Sequence, residues 1–199
     1  MQQVTVQIVI FTIFQGNLNI LSSYGELPGQ KLSSGQSVEK AANNLFENAV
    51  NISPSRVFSE QLFTFSFPNQ AEIVVGYYYL VPFQLITKIK SGDSLIAQDN
   101  FKNKEDRDVV NYAVQRLRWK VEYTNAVYSL LPNEFTLSEL QATYEAILGR
   151  NLDKRNFRKK ILSLGLIKSI GKKKRGVAAR PAEIYTFKTR KPVMVKVFS

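Results

Sequence analysis

Apolar residues recur along this chain in two different periods, and the changeover between them divides it. The first part runs in steps of two, or in unbroken β-branched and aromatic stretches. Val4 to Phe14 reads as a strand, Gln15-Gly16-Asn17 as a turn, and Leu18 to Leu21 as the returning arm of a hairpin. Val57 to Phe67 and Ile73 to Val81 predict two more strands, with the consecutive aromatics and β-branched residues of a well-covered sheet. Between the hairpin and these strands, residues 22–37 are rich in Ser and Gly and read as a loop around Leu27-Pro28-Gly29. Ser37 then caps a helix reaching Ala49, with Val38, Ala41, Ala42, Leu45, Phe46 and Ala49 on its apolar side. Residues 82–105 are less regular; they hold a short strand at Leu85–Ile89 and a turn at 91–94.

Helical spacing takes over from Asp106. Val110, Ala113, Leu117, Val121, Thr124, Tyr128 and Leu131 predict one long helix, closed by Pro132. Thr136-Leu137-Ser138-Glu139 is a capping box, followed by the stripe Leu137, Leu140, Tyr144 and Ile147 and a stop at Gly149. A third helix spans 153–164, with Asp153 as its cap and Phe157, Ile161 and Leu164 as its buried stripe. Opposite that stripe lie Arg155, Arg158 and Lys159, with Asn156 on the flank; Leu162 lands on the polar side, against the pattern. Leu166–Ile170 and Glu183–Phe187 predict a hairpin around a basic turn. Two short helices, a tight turn and a basic hairpin form a winged helix-turn-helix. The reading is therefore an α+β chain: a sheet-and-helix domain over residues 1–105, a connecting helix over 106–133, and a winged-helix domain over 134–199.

Charge sharpens that division. Residues 1–133 carry 11 Lys/Arg and 11 Asp/Glu, whereas residues 134–199 carry 16 and 5, so the whole net charge of +11 sits in the last third. Such asymmetry points to a nucleic-acid-binding module joined to a neutral one. In a major groove Arg forks onto guanine, Asn onto adenine, and Lys pairs with phosphate. Arg155, Asn156, Arg158 and Lys159 are thus the candidates for the groove, and Lys172, Lys173, Lys174, Arg175 and Arg180 for the wing. Taken alone, the helix reads more readily as a solvated basic face on an ordinary surface helix; its place in the turn-helix-wing pattern reverses that. With no Cys and no His, the chain excludes disulfides, the usual zinc sites and His-based triads. It has no 18-residue apolar run and no signal-peptide pattern, so a cytoplasmic protein is expected.

The segment LLPNEFTLSELQATYEAILGRNLDKRNFRKKIL, with ARPAEIYTF after it, resembles the C-terminal module of Nudix-related transcriptional regulators, the NrtR family. Upstream, TVQIVIFTI and EQLFTFSFP resemble strands of that family's Nudix-like domain, and LRWKVEYT its connecting helix. The resemblance implies a Nudix-like mixed sheet-and-helix sensor, a homodimer on a near-palindromic operator, and an effector such as ADP-ribose or a related metabolite. A working Nudix box holds divalent metal against a pyrophosphate through glutamates at fixed spacing. In this register its glycine, glutamate and arginine positions are Gln30, Gln36, Asn44, Leu45, Asn48, Ala49 and Asn51; only the apolar Phe46 and Ile52 survive. No hydrolysis, cofactor or resident metal is expected. Effector segments also differ, reading Asn69-Gln70-Ala71-Glu72 and Ala97-Gln98-Asp99-Asn100. A divergent pyrophosphohydrolase and a non-specific architectural DNA binder are the alternatives from other classes.

Overall fold

The structure, a computed structural model, describes residues 3–68, 71–86, 90–174 and 181–197. Its centre is β1 (Gln3–Phe14), which pairs with β2 (Asn17–Ser23) and β3 (Gly29–Lys31) antiparallel. Helix α1 (Val38–Val50) follows, then β4 (Phe58–Ser66), β5 (Glu72–Leu80) and β6 (Asp93–Ile96). The sheet order is β4-β5-β1-β2-β6, with β1 and β5 parallel and β3 beside β1.

Alternation splits the two central strands between two cores. On one face Val6, Ile8, Ile10, Tyr77 and Tyr79 pack on Ala41, Ala42 and Phe46 of α1. On the other, Val9, Phe11, Tyr78 and Leu80 join a larger core with helix α2 (Lys104–Tyr123) and the C-terminal elements. A sheet covered on both sides explains the unbroken apolar runs of β1 and β5.

Three elements depart from expectation. The presumed loop 22–37 contains β3, a Gly-Gln-Lys strand with no apolar pattern of its own, held by its register with Thr5–Gln7. The expected strand at Leu85–Ile89 begins as a 3-10 turn, Phe83–Leu85, and residues 87–89 lie outside the described residues; the strand forms later, as β6, because β2 offers it an edge. The long helix 106–131 is also shorter than its pattern. It ends at Tyr123, where Thr124 turns extended (φ −139°) and its hydroxyl donates to the Lys120 carbonyl. A 3-10 turn, Ala126–Leu130, then carries the chain on.

The C-terminal tail accounts for the break. Val195 N–H and Val197 N–H donate to the carbonyls of Tyr123 and Glu122, and Asn125 grips Lys191 O and Val193 N–H with its side chain. Residues 191–197 thus form a splint along the end of α2. Glu60 of β4 ties the same helix to the sheet, at 2.8 Å from Lys120 Nζ and 3.4 Å from Arg116. Burial pushes the Glu60 carboxyl up, but hydrogen bonds from Lys120 and Tyr78 outweigh it and hold it below its ordinary value.

The start of α2 is fastened by buried Asp106, which accepts from Leu27 N–H (2.7 Å), Gln7 Nε2 (3.0 Å) and Asn103 Nδ2 (3.2 Å). Asp106→Ala is expected to cost about 1–3 kcal/mol, because it leaves the buried Leu27 N–H without its acceptor. Burial raises the Asp106 pKa in the fold above its ordinary value. Its contribution is then fully present below the unfolded value of about 3.9 and lost as pH rises through the folded one. Urea denaturation of both proteins checks this: the loss is larger in acid than at neutral pH, and the opposite trend sinks the argument.

Candidate nucleic-acid interface

After the joint come β7 (Phe135–Thr136), α3 (Leu137–Leu148), α4 (Lys154–Ser163), β8 (Ile167–Lys174) and β9 (Ala182–Phe187). The capping box is formed: Glu139 N–H donates to Thr136 Oγ1, and Thr136 N–H to Glu139 Oε2. Leu137, Leu140, Tyr144 and Ile147 are buried as the spacing requires. Tyr144 meets Phe157 of α4 edge-on, with ring centres 5.6 Å apart.

A clamp sets the entry angle of α4. Gln141 and Glu145, one turn apart on α3, take both backbone groups of Leu152: Gln141 Nε2 donates to its carbonyl, and its N–H donates to Glu145 Oε1. The same two side chains bond each other at 2.9 Å. Asp153 then caps α4 by accepting from Asn156 N–H at 2.7 Å. Sequence spacing does not reveal this clamp, although a Gln and a Glu four apart beside a tight turn are its signal.

Phe157 and Ile161 anchor α4 on the core, which leaves Arg155, Asn156, Arg158 and Lys159 exposed. Arg155, Arg158, Lys159 and Leu162 stand at i, i+3, i+4 and i+7, so they share one face. Leu162, out of place in the sequence pattern, is 48% exposed within that basic face. Asn156 is turned aside, into a cleft with Arg150, Lys160 and Val197.

The hairpin β8–β9 extends beyond α4, with β7 beside β9. Lys172 and Lys174 point to one side, where their ammonium groups meet Glu134 (3.4 Å) and Glu139 (2.6 Å). Lys173 points to the other and is opposite Glu183 in register. The wing cations are therefore not one array: two of them lean on the body of the module. Burial raises the Glu139 carboxyl, but Lys174 and the Thr136 cap outweigh it and hold it below its ordinary value. Arg175 and Arg180 lie outside the described residues.

In the neutral part, a cleft of about 480 Å³ opens between α1 and the Leu27-Pro28-Gly29 segment. Leu45, Asn48 and Ala49 line it, and Lys90 Nζ donates to the Asn48 carbonyl. Asn51 ends α1 in the left-handed conformation (φ 56°), the region that Asn tolerates best after Gly. Phe46 and Ile52 are buried, whereas Asn44 and Glu47 face solvent. Among the described residues, no group of three or more His, Cys, Asp or Glu side chains is placed to hold a metal ion. Likewise, no helix is long and apolar enough to cross a membrane.

The family model described as the NrtR DNA-binding winged helix domain matches residues 127–187. Over 206 residues the chain is 31% identical to the ADPR responsive transcriptional repressor NtrR of Acinetobacter baylyi, covering 92% of this chain and 81% of that one. In overall shape it is similar to NrtR of Shewanella oneidensis, solved in complex with a 27mer DNA, with a TM-score of 0.78 at 24% identity and 93% of each chain covered. It is also similar to a MutT/nudix family protein from Enterococcus faecalis, with a TM-score of 0.71 at 18% identity, covering 95% of this chain and 89% of that one. These two structural likenesses speak for the fold.

Proposed function

The chain belongs to the NrtR family of transcriptional regulators, and on that footing we propose that it is an ADP-ribose-responsive repressor acting on operator DNA in the cytoplasm. The observation that carries the DNA-binding part is the exposed face of Arg155, Arg158 and Lys159 on a helix held by caps and a clamp. Bidentate Arg contacts read guanine edges, Lys159 serves a phosphate, and Leu162 suits the methyl group of a thymine. Asn156, on the flank, serves the backbone or an adenine at the groove edge. Lys173, with Arg175 and Arg180, extends the contact to phosphates beside the groove. Two copies of the chain bind as a homodimer, with half-sites about one helical turn apart.

The sheet domain is the sensor. Its cleft binds and does not hydrolyse, because Gln30, Gln36, Asn44, Leu45, Asn48, Ala49 and Asn51 replace the glycines, arginine and carboxylates of a working box. ADP-ribose as the effector follows from the named Acinetobacter baylyi relative. A ligand there acts on DNA binding only through a difference in its affinity for the two arrangements of the DNA-binding modules.

Fluorescence anisotropy tests this, using duplex DNA from upstream of the protein's own gene and a scrambled duplex, with and without ADP-ribose. Preference for the upstream duplex, weakened by ADP-ribose, is the expected result. A preference indifferent to ADP-ribose overturns the effector, and equal binding at every salt concentration to all duplexes recovered in a genome-wide selection overturns the regulator.

A further inference from the structure

A second cavity, of about 520 Å³, lies where the sheet meets the joint that follows α2. Its polar lining includes Ser55 and Arg56 before β4, Gln84 after β5, and Ser129, Asn133 and Arg190 of the joint and the tail. Val57 and Leu131 contribute apolar wall. No carboxylate lines it, and neither Arg56 nor Arg190 forms an ion pair among the described residues.

Arg190 sits in an unusual position for an unmatched cation. It is half-buried, its guanidinium donates to the carbonyls of Tyr128 (2.5 Å), Leu131 (2.6 Å) and Pro132 (3.1 Å), and it stands 5.8 Å from the centre of the Tyr128 ring. Carbonyl dipoles solvate it but do not neutralise it. Burial lowers its pKa, the direction of a charge short of a counter-ion. Arg56 lines the same cavity and is exposed. A cavity of ligand size with two cations, hydroxyl and amide groups and no acid has the composition of an anion site.

We propose that this cavity binds a small metabolite bearing a phosphate or carboxylate group, at a site separate from the α1 cleft. Arg56 meets the anion from the sheet side and Arg190 from the side of the joint. Ser129 is already committed: its hydroxyl accepts from Phe58 N–H and donates to Leu80 O, both at 2.8 Å, which makes it the rivet between the joint and the sheet. A ligand held between Arg56 and Arg190 therefore spans the same seam that connects the sensor to the wing. The binding claim is independent of the DNA-binding reading.

The test is calorimetric titration of the full chain with inorganic pyrophosphate and, separately, with citrate, at constant ionic strength. The two probes distinguish phosphate from carboxylate ligands. The expected result is saturable binding of one probe, weakened about tenfold or more by Arg56→Gln, a change on an exposed side chain. Lys90→Gln in the α1 cleft and Arg155→Ala/Arg158→Ala on α4 leave that binding unchanged. Absence of heat for both probes up to about 10 mM overturns the proposal, as does binding that survives Arg56→Gln. Binding lost in either control assigns the anion to another basic region and overturns it equally.

Discussion

Arg155→Ala/Arg158→Ala is expected to weaken operator binding by about 30-fold to 20,000-fold, because each bidentate Arg–guanine contact is worth about 1–3 kcal/mol. Both side chains are exposed on α4 and support no part of the core. The variant therefore keeps its melting behaviour within about 0.5 kcal/mol. Lys159→Ala behaves differently: it weakens all duplexes alike and lowers the salt slope by about 1, as loss of one phosphate contact does. Leu162→Ala has a smaller effect, confined to discrimination at thymine positions. Anisotropy on operator and scrambled duplexes over a salt series separates these cases. An Arg155/Arg158 variant that still prefers its operator like the parent removes α4 from the groove.

The second large effect falls on stability. Phe46 is fully buried in α1 and stacks on Tyr79 of β5 with ring centres 4.2 Å apart and planes 11° from parallel. Phe46→Ala is expected to cost about 3–5 kcal/mol, through lost transfer energy and the cavity left behind. For a chain of this size that lowers the melting temperature by roughly 6–20 °C. Glu47→Gln, one residue on, changes stability by less than about 0.5 kcal/mol and leaves effector binding unaltered. The contrast measures what α1 is kept for: its apolar side holds one face of the sheet, while Glu47 on its solvent side is free to vary. Thermal melts and ADP-ribose titrations of both variants decide it. A tolerated Phe46→Ala, or a Glu47→Gln variant that loses effector binding, refutes that division.

Where the chain is organised by its own local period, the sequence is readable. The stripes Leu137–Leu140–Tyr144–Ile147 and Phe157–Ile161, the Thr136–Glu139 box and the Asp153 cap all lie within a few residues of their partners. The β1 and β5 runs are readable because burial on two faces leaves the unbroken apolar stretches Ile8–Phe11 and Tyr77–Leu80. What is not legible depends on distant groups. β3 and β6 exist because β1 and β2 present free edges. Thr124 and Tyr128 continue a helical spacing that the chain does not follow, because residues 191–197 claim the end of α2. The α4 face is legible as a basic surface, but the leaning of Lys172 and Lys174 onto Glu134 and Glu139 follows only from strand alternation around the bulge in β8. Cleft and cavity residues such as Lys90 and Arg190 carry no motif at all.

The splint formed by the tail also has a consequence in time. Residues 190–197 leave the ribosome after everything they bind, and synthesis proceeds at roughly 5–20 residues per second with N-terminal parts folding first. The sheet, α1 and α2 can therefore fold while the end of α2 still lacks Val195 and Val197, and while the carbonyls of Leu131 and Pro132 still lack Arg190. A nascent chain paused before Arg190 can pack α3 and α4 on the shared core while the joint after α2 still lacks its tail bonds. The shared core and the Ser129 bonds already join the two parts, and residues 190–197 add the last fastening at the end of α2, so a protease that trims there is expected to loosen the joint without unfolding either part.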